Sequence, residues 1–206
     1  IALCATMSAR QRDSREIAGW LALAALCHRY SSSSETALDQ DLRACRNPDP
    51  VGALLTNLRD VRSLMAKPKD FSGALGDRGG LLALYVACMN RGILDFYTGG
   101  KVLLQSNVDR HHILPRAQFP EDIRPAADNI ANMAFIAGDV NKGIGQAGPE
   151  VYLCTIKSRV LKSQCIPADK ALWRIDQADA FWRVRRELLA DSFNDYVRKS
   201  LPQRHL

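Results

Sequence analysis

Two histidines stand side by side in the run Asp109-Arg110-His111-His112-Ile113-Leu114-Pro115. Imidazole titrates near neutral pH and is a common metal ligand, so such a pair can move a proton and hold a cation. Hydrolysis of a phosphodiester needs both. A base must align and deprotonate water, and a cation must neutralise the charge that builds on the phosphate and the leaving oxygen. Adjacent residues of an extended segment point to opposite sides. A strand lying between metal and water would therefore turn His111 to the metal and His112 to the water, and Pro115 would end the pairing. About twenty residues later, Asp128-Asn129-Ile130-Ala131-Asn132 leads into Met133-Ala134-Phe135-Ile136, which places Asn132 at the start of a second strand. Then Asp139, Asn141 and Lys142 fall at the start of a helix, where the first two offer oxygen ligands. The expected order is β-β-α.

Each piece has a plainer use. The histidines can be a solvated strand pair, Asn132 and Asn141 turn or cap residues, and Asp139 a helix cap. Order and spacing together favour the catalytic reading. The other histidines do not join it: His28 reads as a core or cap residue of an apolar helix, and His205 lies in a C-terminus expected to fray.

The elements that would position this cluster are mainly helical. Apolar spacing predicts helices over Ile17 to Tyr30, from near Glu35 to Cys45 with a serine from Ser31 to Ser34 as N-cap, over Val51 to Met65, and over Leu81 to Arg91. After Lys101 short β-compatible pieces appear at Val102 to Leu104, around Val108 and at Met133 to Ile136, while Pro115 to Asp128 reads as irregular. A short helix is expected near Asp139, another from Glu150 to Ser158 with Pro149 in its first turn, and a long amphipathic one from Ala178 to Leu201. Phe181, Leu188, Phe193 and Val197 form the apolar side of the last. The expected fold class is mainly α with a small β-β-α unit. Residues 1–100 would be a helical scaffold, 101–158 the core that carries the histidine pair, and 159–206 a basic helical region packing on the scaffold.

The chain has 206 residues, 47% of them hydrophobic, enough for a packed core, and no window offers the roughly 18 uninterrupted apolar residues of a membrane span. It starts at Ile1, which reads as an excised piece of a longer polypeptide. The six cysteines lack Cys-x-x-Cys spacing and mostly sit among apolar residues, so buried thiols of a cytoplasmic protein are expected. Net charge is +6, and from Lys157 onward eleven Lys/Arg face six Asp/Glu. Such a tail raises the prior for a polyanionic partner, with Arg183, Arg185, Arg186, Lys157, Arg159 and Lys162 as candidate DNA contacts or else a solvated helix face. Trp173 and Trp182 read as core.

The order x-His-Ile-x-Pro, Asn-x-x-Phe-Ile, Asp-x-Asn-Lys resembles the His-Asn-His, or ββα-metal, nuclease superfamily. More narrowly, Val108 to Arg116 resembles the catalytic domain of GmrSD-type modification-dependent restriction enzymes and the related domain of SspE-like phosphorothioate-linked defence proteins. The likeness covers about residues 15–155, including the segment Trp20 to Tyr30 with its following serines, Leu81 to Arg91, Asp95 to Gly99 and Gly148 to Leu153. It implies that His112 is the general base, that His111 and Asn141 are metal ligands with Asp139 joining directly or through water, and that Asn132 orients the His112 ring. It also implies that Arg110, Arg116 and Lys142 meet DNA. His111 stands where the wider superfamily often has Asp. Imidazole suits manganese, nickel, cobalt or zinc better than magnesium, so one divalent cation per site is expected, Mg2+ with Mn2+ as good or better. The implied setting is a bacterial, cytoplasmic anti-phage nickase acting on double-stranded DNA, without membrane contact, under an N-terminal nucleotide-hydrolysing sensor domain. Two other readings are a DNA-binding or assembly module with a relic site, and a ββα-metal RNase toxin.

Overall fold

The computed structural model describes residues 6–7, 13–60, 63–102, 108–137 and 147–205. Within them the chain is mainly helical, with one two-stranded antiparallel sheet. No helix among the described residues is long and apolar enough to cross a membrane.

Local chemistry sets the helix ends. Helix α1, Ser14–Leu26, begins where the Asp13 carboxylate accepts from the N–H groups of Arg15 and Glu16. It stops short of the expected Tyr30 because His28 turns left-handed, at φ 52°. The N–H groups of His28 and Arg29 then close back on the Ala25 and Ala24 carbonyls, a Schellman ending with histidine in the usual glycine position. The His28 side chain is half exposed and lies 3.6 Å from Asp77. Helix α2, Ser34–Ala44, follows. Ser33 holds its N-cap position but makes no side-chain cap bond, contrary to expectation, because its own backbone is left-handed there. Helix α3, Pro50–Arg59, is capped by Asp49, begins with Pro50, and ends before the predicted Met65. A 3-10 turn, Pro68–Phe71, leads to α4, Arg78–Asn90, whose N-cap Asp77 accepts from the Gly80 N–H. Glycine is required at Gly79, where a Cβ would stand 2.3 Å from the Ala25 carbonyl oxygen.

Strand β1 is Val108–His112 and β2 is Met133–Ala137, in a register that pairs His111 with Ala134 and His112 with Met133. The expected strand from Val102 to Leu104 falls largely outside the described residues, as does the helix near Asp139. Between the strands Pro115 to Asp128 folds as two short 3-10 turns, Arg116–Gln118 and Arg124–Asp128. Beyond β2 come α5, Pro149–Tyr152, and a 3-10 turn, Leu153–Thr155, in place of one continuous helix to Ser158. Then follow α6, Ser158–Ser163, and α7, Ala178–Ser200.

The sheet lies between two apolar clusters. Met133 and Phe135 face the larger one, built from α1, α3, α4 and α7. Ala134 and Ile136 face the smaller, with Ile113, Leu114, Phe119, Leu153 and Trp182. Both Trp173 and Trp182 are buried, the latter stacked on Phe119. The outer edge of β2 is closed by side chains instead of a third strand. The Gln164 amide accepts from the Phe135 N–H at 2.9 Å and donates to its carbonyl at 2.6 Å. Asp95 accepts from the Ala137 N–H.

Three expectations change here. Arg185 is no DNA contact: it is fully buried and donates to the carbonyls of Ala131, Met133 and Gln164 at 2.8, 2.7 and 3.1 Å. It faces inward because it shares the inner side of α7 with Phe181 and Leu189. His205 is not frayed. Its ring is buried 3.4 Å from Asp49, and Arg59 donates to its carbonyl. Finally, the described cysteines are all free thiols, but Cys154 is exposed and Cys27 only half-buried.

Candidate active site

Strand pleating decides where the two histidines go. Asp109 and His111 share one face of β1, and Arg110 and His112 share the other. His111 is buried, at 7% exposure, on the side of the smaller cluster. Its ring is held edge-on between Phe96 and Tyr152, with centroids at 6.0 and 5.7 Å. Its Nε2 lies 3.4 Å from the Tyr152 hydroxyl, and that hydroxyl donates its proton to the Ile113 carbonyl at 2.5 Å. Toward His111 the tyrosine oxygen can therefore only accept, so any bond between the two has the imidazole Nε2 as its donor. Burial pushes the Tyr152 hydroxyl well above the ordinary tyrosine range, which keeps it a neutral donor.

His112 lies on the opposite face, its side chain 27% exposed. Its Nε2 is 2.8 Å from Asp128 Oδ1, while Arg116 Nε donates to Asp128 Oδ2 at 3.0 Å. Burial alone would raise the Asp128 carboxyl, but the hydrogen bonds from His112 and Arg116 outweigh it and hold the group below the usual carboxylate range. An ionised Asp128 can only accept. His112 therefore donates through Nε2, and in a neutral ring Nδ1 presents the lone pair.

Asn132 is fully buried, and its amide bonds backbone groups and not the His112 ring. Its amide accepts from the Leu114 N–H and donates to the Leu114 and Ala127 carbonyls, all at 2.9 Å. With the bond from Ile113 N–H to the Asn132 carbonyl, it holds the chain that follows His112. The ring itself is held by Asp128. From sequence alone Asp128 was assigned no role; the available signal was an acid four residues before Asn132, at the end of a proline-rich loop that also carries the cations Arg116 and Arg124.

Of the DNA contacts expected, Arg110 is exposed on the His112 face of β1, and Arg116 is half exposed and tied to Asp128. Lys157, Arg159, Lys162 and Arg183 are exposed, and Arg186 is partly buried. Asp139, Asn141 and Lys142 lie outside the described residues. Among the described residues no three His, Cys, Asp or Glu side chains gather as a metal-binding group. His111 is the one expected ligand among them. A ring fixed edge-on between two aromatics is a rigid borderline nitrogen donor, which fits a divalent transition ion or Mn2+ better than a bare Mg2+ site.

Compared with family models, with curated proteins and with solved structures, the chain matches none.

Proposed function

We propose that this chain is a metal-dependent DNA endonuclease of His-Asn-His type, hydrolysing one phosphodiester per encounter. The observation that carries the reading is the His112–Asp128 pair. A partly exposed imidazole is fixed in one tautomer by a carboxylate at 2.8 Å, directly beside a second, buried imidazole facing the other way. In this reading His112 takes the proton of the attacking water at Nδ1. Asp128 keeps the ring from rotating and gives a counter-charge to the protonated ring. Asn132 holds the backbone that sets the ring's position, and Arg110 and Arg116 stand beside it to meet phosphate oxygens, with Lys142 joining them. His111, with Asn141 and Asp139, would hold a divalent ion, Mg2+ or Mn2+. Such an ion would neutralise charge on the phosphate and the leaving oxygen. The ββα-metal arrangement, the sensor domain and the anti-phage role on phage DNA belong to the same proposal and rest on the sequence resemblance.

The test is a supercoiled-plasmid nicking assay with Mg2+, Mn2+ or EDTA, run beside His112→Ala. The expected outcome is nicking with either metal, none in EDTA, and a loss on the order of 10²- to 10⁴-fold in the variant. Plasmid left equally intact by both proteins would defeat the enzyme reading in favour of a DNA-binding or assembly module. Preferential cleavage of RNA in a mixed-substrate reaction would replace DNA as the target.

A further inference from the structure

Phe96, Tyr97, Val151, Tyr152, Thr155 and Ile156 border an open cleft of about 440 Å³, within the roughly 300–1,000 Å³ range of small-ligand sites. Two of its rings, Phe96 and Tyr152, are those that clasp His111. The cleft and the buried imidazole therefore share a wall. At the rim Tyr97 is 63% exposed and Val151 60%. Two hydroxyls of the lining are directed elsewhere. Tyr152 donates to the Ile113 carbonyl, and Thr155 donates to the Tyr152 carbonyl. Neither is aimed to read the donor and acceptor edge of an occupant. Aromatic walls suit the face of a planar heteroaromatic ring, held by stacking and indifferent to its identity. The roomier trough of about 580 Å³ over α2 and α3, bordered by Gln40, Arg43, Asn47 and Thr56, has no aromatic wall and offers no such platform.

We propose that this cleft receives one unstacked nucleobase of the strand whose phosphate lies at His111, with Tyr97 as its stacking platform. The inference rests on the nuclease reading and narrows its substrate class to DNA carrying an unpaired base beside the cut, either a single strand or a duplex opened locally. A base already unpaired avoids the cost of extrusion from the duplex.

The experiment is a fluorescence-anisotropy titration of the full chain carrying His112→Ala, so that the probe survives. One probe is a labelled short single strand of mixed sequence, and the other is the same backbone built from abasic units. Both carry the same phosphates, so counterion release contributes equally. The expected result is roughly tenfold tighter binding of the base-bearing strand. That preference should vanish when Tyr97→Ala is added and survive Tyr97→Phe. Equal affinity for the two strands, or a preference untouched by Tyr97→Ala, overturns the cleft proposal and leaves the nuclease reading standing. Binding of neither strand, by a protein that retains its helical circular dichroism, also overturns the cleft proposal, while the plasmid nicking assay alone decides the nuclease reading.

Discussion

A carboxylate that touches an imidazole but lies away from the reacting atoms acts by orienting it. Under the nuclease reading Asp128 is such a group. It accepts from His112 and from Arg116 through different oxygens, so one side chain orients an imidazole and a guanidinium. Replacing it with Asn keeps the shape but permits the amide to turn an N–H toward the ring, which would favour the wrong tautomer. Under the nuclease reading, Asp128→Asn should lower kcat by about 10- to 100-fold with KM little changed, and Asp128→Glu should recover part of the loss. Steady-state nicking kinetics separate the two parameters. A rise in KM with kcat intact would instead assign Asp128 to substrate binding through Arg116. Asn132 works one step further back. Its three amide bonds go to the backbone, so the residue was legible in the sequence as a motif position, but its target was not. Which groups an asparagine reaches depends on how the loop closes over it.

Among the elements, α7 joins the halves of the molecule. Its inner face supplies Phe193 and Val197 to one cluster and Phe181 and Trp182 to the other. Arg185 sits between them and binds three carbonyls that frame the start of β2. Burial pushes its guanidinium down from the ordinary arginine value, the mark of a charge held by dipoles without a carboxylate partner in these bonds. Arg185→Met should preserve bulk yet leave those carbonyls without donors. A loss of about 3 kcal/mol or more in urea unfolding is expected. The period of α7 was readable because twenty-three residues repeat it, whereas the inward turn of one arginine was not: a basic residue on an amphipathic helix reads as solvated unless its partners are known. The early end of α3 escaped for a related reason, since apolar spacing continues through Leu64 although the helix does not.

At the scale of the whole molecule, the tie between the helical scaffold and the sheet runs through Asp95, which is 2% exposed. Its carboxylate accepts from the backbone N–H groups of Tyr97, Thr98 and Ala137 and from the Thr98 hydroxyl. Burial alone would raise this carboxyl, but those bonds, led by Ala137, hold it below the usual range. A carboxyl depressed in the folded state contributes stability in full above its unfolded value of about 3.9, and loses it as the pH falls through the folded value. Asp95→Asn should therefore cost about 2 kcal/mol at pH 7, with the gap to the parent closing below about pH 3–4. Thermal unfolding across that range reads the difference. The mainly helical class and the paired strands flanking the histidines were legible from periodicity. The side chains that close β2 were not, because they come from distant positions with no pattern of their own. That closure limits what position 164 tolerates. Gln164 is fully buried and meets both polar groups of Phe135, accepting from its N–H and donating to its carbonyl, and a neutral amide supplies both at once. An ionised glutamate there would set an anion against the Phe135 carbonyl out of reach of water, so one changed atom in the interior would loosen the strand that it holds.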